Sequence, residues 1–190
     1  MKRFFDIIGS FILIIILSPI LILITILIFR CPIYLSERHG RLGKRFKMFK
    51  FRSMTIGAAK LQHALMHLNE KGVIFKIERD PRITTIGKFI RKTSIDELPQ
   101  LFNVLFGSMS LVGPRPLPID QIDKNDYRQK RRLLVKPGIT GLWQIRGRSE
   151  TSFERMLKWD IWYIEHHNIW IDLKILVKTI PVVIRGRGAW

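Results

Sequence analysis

Two adjacent carboxylates, Asp96 and Glu97, open an apolar stretch in a chain that is otherwise strongly basic. An arginine lies on each side: Arg91 upstream, and Arg115 downstream between Pro114 and Pro116. Such acids suit phosphoryl chemistry. A carboxylate can attack a phosphoryl group and carry it as an acyl phosphate. Mg²⁺ is typically held by one or two carboxylates together with substrate phosphates, so Asp96 and Glu97 are also the candidate metal ligands. Arginine forks grip phosphate oxygens two at a time. A purely structural reading competes. Ser94-Ile95-Asp96-Glu97 has the pattern of a helix capping box, and acids are favoured in a first helical turn. Pro99 argues for Asp96 over Ser94 as the cap, because it then falls inside the first turn, where proline is tolerated. Both readings predict a helix that starts near Asp96, and free N–H groups at such a start favour an anion.

Further basic residues are placed to help. Phe46 to Arg52 alternates apolar with basic residues, the period of a half-buried strand. Lys50 and Arg52 would then share one face, either as a solvated edge or turned towards phosphate. Arg115, fixed between two prolines, reads as a ligand contact. Arg146-Gly147-Arg148 is a basic turn suited to a phosphate or nucleotide. Asp160 lies off the apolar face formed by Phe153, Met156, Leu157, Ile161 and Ile164, and joins the substrate-binding candidates. His63 and His67 share a helix face but lack a third ligand.

These residues need elements to hold them. Leu98, Leu101, Phe102, Leu105 and Phe106 mark one face of a helix that ends at Gly107. Ser110 to Val112 is a short strand leading to the Pro-Arg-Pro turn. Ile56 to Lys71 and the polar stretch Ile119 to Leu134 read as helices, the second one solvated. Lys136 to Gly141 is a compact loop, and Leu142 to Ile145 is strand-like. Ile171 to Ile184 is apolar, but Asp172, Lys174 and Lys178 argue against a membrane span. The dense aromatics Trp159, Trp162, Tyr163 and Trp170 suit either a membrane interface or a core.

The first thirty residues form a separate membrane element, and residues 31–190 the domain that carries the chemistry. Phe4 to Phe29 is nearly unbroken Ile, Leu and Phe. As one helix it would be ~39 Å long against a hydrocarbon core of ~30 Å. Ser18-Pro19 interrupts it, since Pro19 cannot donate to the Ile15 carbonyl. Lysines and arginines flank both ends, so the positive-inside rule selects no orientation. A turn at Ser18-Pro19 resolves this: a re-entrant hairpin keeps both flanks on the cytoplasmic side. The formal charge of +18 over 190 residues points to anionic partners such as lipid headgroups, nucleotides or nucleic acid. The single Cys31 excludes an internal disulfide. On the residues alone, a phosphoryl-transfer enzyme and a membrane-anchored basic binding module both stand. Only the enzyme uses the acid pair.

An ordered set of motifs then carries a resemblance. It comprises Lys2-Arg3-Phe4-Phe5-Asp6, the apolar run with Ser18-Pro19, Lys50-Phe51-Arg52-Ser53-Met54 and Asp96-Glu97-Leu98-Pro99-Gln100-Leu101. Leu111-Val112-Gly113-Pro114-Arg115-Pro116 and Pro137-Gly138-Ile139-Thr140-Gly141 complete it. The chain resembles the bacterial sugar transferases, the monotopic phosphoglycosyl transferases, and looks like a minimal, single-domain member. The resemblance implies an α+β fold, mostly helical, with a re-entrant membrane helix and interfacial helices around a small β element. It implies transfer of a sugar phosphate from a UDP-sugar to undecaprenyl phosphate, with Mg²⁺ and with UMP as leaving group. Asp96 would be the nucleophile, Glu97 would hold metal and geometry, and Arg91, Arg115 and Lys50 would bind phosphate. It places the protein on the cytoplasmic face of the bacterial inner membrane, among anionic lipids. It implies no nucleic acid partner and permits an oligomer. Gly141-Leu142-Trp143-Gln144-Ile145 and Arg146 depart from the family's commoner residues, which bears on the nucleotide or sugar contacts.

Overall fold

The computed structural model describes residues 1–61, 63–68, 77, 80–119, 122, 126–148 and 151–186. It is mostly helical. Helix α1 spans Lys2–Leu27, and the antiparallel hairpin β1 (Ile33–His39) and β2 (Arg45–Phe51) follows. Next come α2 (Thr85–Lys92), α3 (Gln100–Phe106), β3 (Ser110–Val112) and α4 (Tyr127–Arg132). The chain ends with β4 (Gly138–Thr140), α5 (Phe153–His166) and α6 (Ile169–Arg185). In the hairpin Tyr34 faces Lys50 and His39 faces Arg45. Strands β3 and β4 pair in parallel, Ser110 opposite Gly138 and Val112 opposite Thr140. Met48, Leu101, Val104, Met109, Val112, Tyr163 and Ile175 form the main core.

Helix α1 is long and apolar enough to cross a membrane, with a mean hydropathy of 3.0. It runs unbroken through Pro19, so the expected turn at Ser18-Pro19 does not form. The Ile15 carbonyl, which a residue-19 N–H would have taken, accepts instead from Ser18 Oγ at 2.8 Å. One stripe of α1 packs on the domain along its whole length. Lys2 pairs with Asp172 of α6, and Arg3 donates to the Val104 and Leu105 carbonyls at the end of α3. Leu13, Ile14 and Leu17 pack on the main core, and Ile24 joins Phe51 and Ile90. Steps of three and four residues keep this stripe on one helix face. The other face leaves Phe11, Ile15, Ile16, Ile22 and Ile26 exposed.

Asp6 is buried and accepts from Ser110 Oγ and from the Leu111 N–H, both at 2.9 Å. It thereby covers the edge of β3 that β4 does not pair. Asp6→Ala orphans both donors, and a lost bond to a charged group costs about 2–3 kcal/mol. We expect thermal unfolding in detergent micelles to come at a temperature lower by about 5–10 °C. An unchanged midpoint would show that Asp6 does not fasten α1 to the domain.

The structure corrects three further expectations about secondary structure. Leu142 to Ile145 is a turn, and the strand is Gly138–Thr140. A Cβ at Gly138 would lie 2.1 Å from the Gly113 nitrogen, so only glycine allows this close pairing of β4 with the end of β3. Within Ile119 to Leu134 the described helix is α4, and it is not wholly solvated, since Gln129 and Arg132 are buried. Ile56 to Lys71 forms 3₁₀ segments at Ala58–Leu61 and His63–Leu68 rather than an α-helix, and its end, with the His63 side chain, lies outside the described residues. The aromatic group also divides. Trp162 and Trp170 are exposed, whereas Tyr163 is buried and donates to Asp172 Oδ1 at 2.6 Å.

Candidate active site

The acid pair lies between α2 and α3, but not as a capped helix start. Ser94 has φ of 57°, in the left-handed region, and its side chain makes no cap bond. An N-cap needs extended backbone there. Ile95–Glu97 form a single 3₁₀ turn, and α3 begins only at Gln100, with Pro99 in the cap position. The capping box is therefore absent, and Glu97 turns elsewhere.

Glu97 is fully engaged by cations. Arg115 takes it with both guanidinium nitrogens, Nη1 donating to Oε2 at 2.8 Å and Nη2 to Oε1. Lys50 Nζ donates to the same Oε1 at 3.0 Å. Asp96 is the opposite case. It is 7% exposed, and among the described residues its carboxylate accepts no hydrogen bond. Its nearest cation is Lys50, 3.8 Å from Oδ2. Electrostatics separates the two acids accordingly. Burial pushes Asp96 up to about 6, against the pull of Lys50. Burial would raise Glu97 too, but Arg115 and Lys50 outweigh it and hold Glu97 far below the usual carboxylate range. Burial also lowers Lys50.

Two further predicted residues reach this group. Arg91 is half-buried at the end of α2, and Asp96 is the first charge acting on it. Its Nε donates to Ser53 Oγ at 2.8 Å. A Cβ at Gly87 would lie 1.9 Å from the Ser53 carbonyl oxygen, so glycine lets α2 press against the end of β2 and aim Arg91. Arg148 donates from Nη2 to Ser94 Oγ at 3.3 Å, while its Nη1 is buried without a partner. Its φ of 46° is uncommon for a residue with a side chain.

Other candidates stand apart. Arg146 stacks over the Trp159 ring, 3.9 Å from its centroid. Arg52 donates to the Cys31 carbonyl and lies over Tyr34, and among the described residues it makes no bond to the acid pair. Asp160 is buried against Arg132 of α4 at 2.8 Å. Sequence reasoning missed Ser53 and Arg132 and took Ser94 only as a helix cap. Ser53 lay inside the quoted Lys50 to Met54 motif, but Arg132 carried no signal.

Among the described residues no group of three or more His, Cys, Asp or Glu side chains comes together. The acid pair alone suits Mg²⁺ completed by substrate phosphates and water. Asp96 offers bare oxygens, whereas Glu97 retains a free lone pair only on Oε2.

Buried carboxylates set among arginines and a lysine thus lie in the same body as a helix long and apolar enough to cross a membrane. The chain belongs to the bacterial sugar transferase family, whose model matches residues 1–186. It is 49% identical over 199 residues to galactosyl transferase CpsE of Streptococcus agalactiae, matching 99% of this chain and 43% of that protein. It is 43% identical to undecaprenyl-phosphate galactose phosphotransferase of Salmonella typhimurium, matching all of this chain and 42% of that protein. It is 36% identical to exopolysaccharide production protein ExoY of Rhizobium meliloti, and there it spans 88% of the relative's length. The chain thus spans less than half of the first two relatives and most of the third.

Proposed function

We propose that this protein is a phosphoglycosyl transferase that moves a sugar 1-phosphate from a UDP-sugar to undecaprenyl phosphate and releases UMP. The observation that carries this reading is the asymmetry of the acid pair. Glu97 is clamped by Arg115 and Lys50, whereas Asp96 beside it is buried, bare and free to attack. The Salmonella relative's name supplies the acceptor lipid and the transfer of a sugar phosphate. ExoY's name ties that relative to exopolysaccharide production, which supports the same setting for this step.

In this mechanism an Asp96 carboxylate oxygen attacks the phosphorus that bears the sugar. The bond from that phosphorus to UMP breaks, and UMP leaves with the electron pair. A phosphate oxygen of the lipid then attacks the same phosphorus, the Asp96 ester breaks, and the carboxylate is restored. Lys50, Arg91, Arg115 and Arg148 balance the phosphate charges. Mg²⁺, held by Asp96, the open side of Glu97 and the substrate phosphates, would supply further neutralisation.

We read α1 as re-entrant, dipping into the cytoplasmic leaflet of the inner membrane. Both of its ends are fastened to one domain and both flanks are basic, so neither end needs to cross the bilayer. An apolar groove of about 450 Å³ starts at Pro99, two residues beyond Glu97, and runs between Leu21, Thr25, Phe49 and Phe102. It suits the first isoprene units of the lipid while the lipid phosphate faces Asp96. Helix α6 exposes Trp170, Leu173, Val177, Ile180 and Ile184 along one stripe, fitting it to lie on the same membrane surface.

The test is purified protein in nanodiscs with undecaprenyl phosphate, Mg²⁺ and a panel of labelled UDP-sugars. At least one donor is expected to give UMP and a lipid-linked diphosphate sugar in equal amounts. UMP without the lipid product, or no turnover of any donor, would sink the proposal.

A further inference from the structure

The candidate site does not end at the residues that face the acid pair. Arg115 is presented by its own backbone, and that backbone is held from behind. The Arg115 carbonyl oxygen accepts from Arg132 Nη2 at 2.7 Å. Arg132 Nε in turn donates to Asp160 Oδ2 at 2.8 Å. Arg132 is 6% exposed and Asp160 1%. A continuous chain of bonds therefore runs from α5 through α4 to Arg115, and through its guanidinium to Glu97.

A buried ion pair is ordinarily explained by packing: it ties α4 to α5 and satisfies two charges. That accounts for Arg132 Nε and Asp160. It leaves unexplained why the second arm of the guanidinium goes to the carbonyl of the residue that takes Glu97 with both its guanidinium nitrogens. Pro114 and Pro116 restrict the backbone on either side of Arg115 but leave the direction of its peptide group to be set. The carbonyl bond to Arg132 sets it. The rigid planar fork holds a carboxylate and a carbonyl in fixed, separate directions, which the compact ammonium of a lysine does not.

We propose that Arg132, held by Asp160, is a positioning residue for the transfer reaction: it fixes the Arg115 peptide so that its guanidinium clamps Glu97 and leaves Asp96 bare. Neither residue touches substrate. The inference rests on the proposed function for its kinetic arm only.

Arg132→Lys keeps the buried charge beside Asp160 but gives up the planar fork. In nanodiscs we expect kcat to fall about 10–100-fold, since misplacement by about 1 Å can cost 10²-fold, with KM for the UDP-sugar changed by less than about threefold. A packing role alone would alter stability and leave this split unseen. On an Arg115→Ala background, Arg132→Lys is expected to cause no further loss, because both act through one group. Unchanged kcat in folded Arg132→Lys, or losses that multiply in the double variant, would overturn the inference.

A second readout needs no turnover. In protein with ¹⁵N-labelled arginine, the Arg115 Nε–H signal, assigned by its absence in Arg115→Ala, is expected to broaden in Arg132→Lys. An unchanged signal also overturns the inference. If the wild type makes no lipid product, the proposed function fails, and this signal alone decides the positioning role.

Discussion

Asp96→Asn is expected to abolish lipid-product formation, with a loss on the order of 10³–10⁶, as when a covalent nucleophile is removed. The amide is nearly isosteric, so shape is kept, but it cannot attack phosphorus. The structure predicts that the fold will not suffer. Among the described residues the Asp96 carboxylate accepts no hydrogen bond that asparagine would lose. Its pKa is raised in the fold by burial, so the ionised form is the one that folding disfavours at neutral pH. A neutral residue removes that penalty, and thermal stability should be equal or higher. The decisive measurement is label transfer. Wild-type protein incubated with a UDP-sugar labelled in the phosphate next to the sugar, then denatured, should retain label. Asp96→Asn should retain none. Label retained by the variant would place the nucleophile elsewhere.

Glu97→Gln should cost nearly as much, on the order of 10²–10⁴ in kcat, by a less direct route. In the wild type Glu97 absorbs Arg115 and Lys50 and so shields Asp96 from them. Without that charge Asp96 is the one carboxylate left for two cations. Its basicity falls, and its lone pairs fill with hydrogen bonds. The sign can be checked without turnover. In metal-free wild type, ¹³C carboxyl NMR should show Asp96 titrating with a midpoint near pH 6, protonated below it and ionised above, because burial raises it to about 6. In Glu97→Gln the midpoint should move down by about one pH unit or more. A midpoint that stays put would show that Glu97 does not set the state of its neighbour.

These effects turn on contacts of different reach, and that difference decided what the sequence made legible. Helices read from apolar spacing, such as the one after Pro99 and the one from Phe153, appear near their expected places because the pattern is local. So does the strand at Ser110–Val112. The residues around the acids, Lys50, Arg91, Arg115 and Arg148, were legible as charge types that suit phosphate. The capping box was not to be trusted, because Glu97 finds partners 18 and 47 positions away in preference to a backbone amide next to it. Ser94 adopts a left-handed backbone and receives Arg148 from 54 positions away. Asp160, read as a substrate-binding candidate off the apolar face of α5, is buried against Arg132, which sits on a helix whose buried side no local pattern marked. Asp6 was quoted only as part of a motif, yet it seals the edge of β3.

The attachment of α1 at both ends has a mechanical consequence. An anchor that traverses the bilayer sets its domain's height through the thickness of the hydrocarbon layer, and it tilts or drags lipid when the two lengths disagree. Here the apolar helix is clamped near Lys2 and again near Ile24 to the body that carries Asp96. Helix and carboxylate therefore rise and sink together. On the proposed function, the reacting phosphorus would keep its depth in thin and thick membranes alike, and turnover would not depend on acyl-chain length.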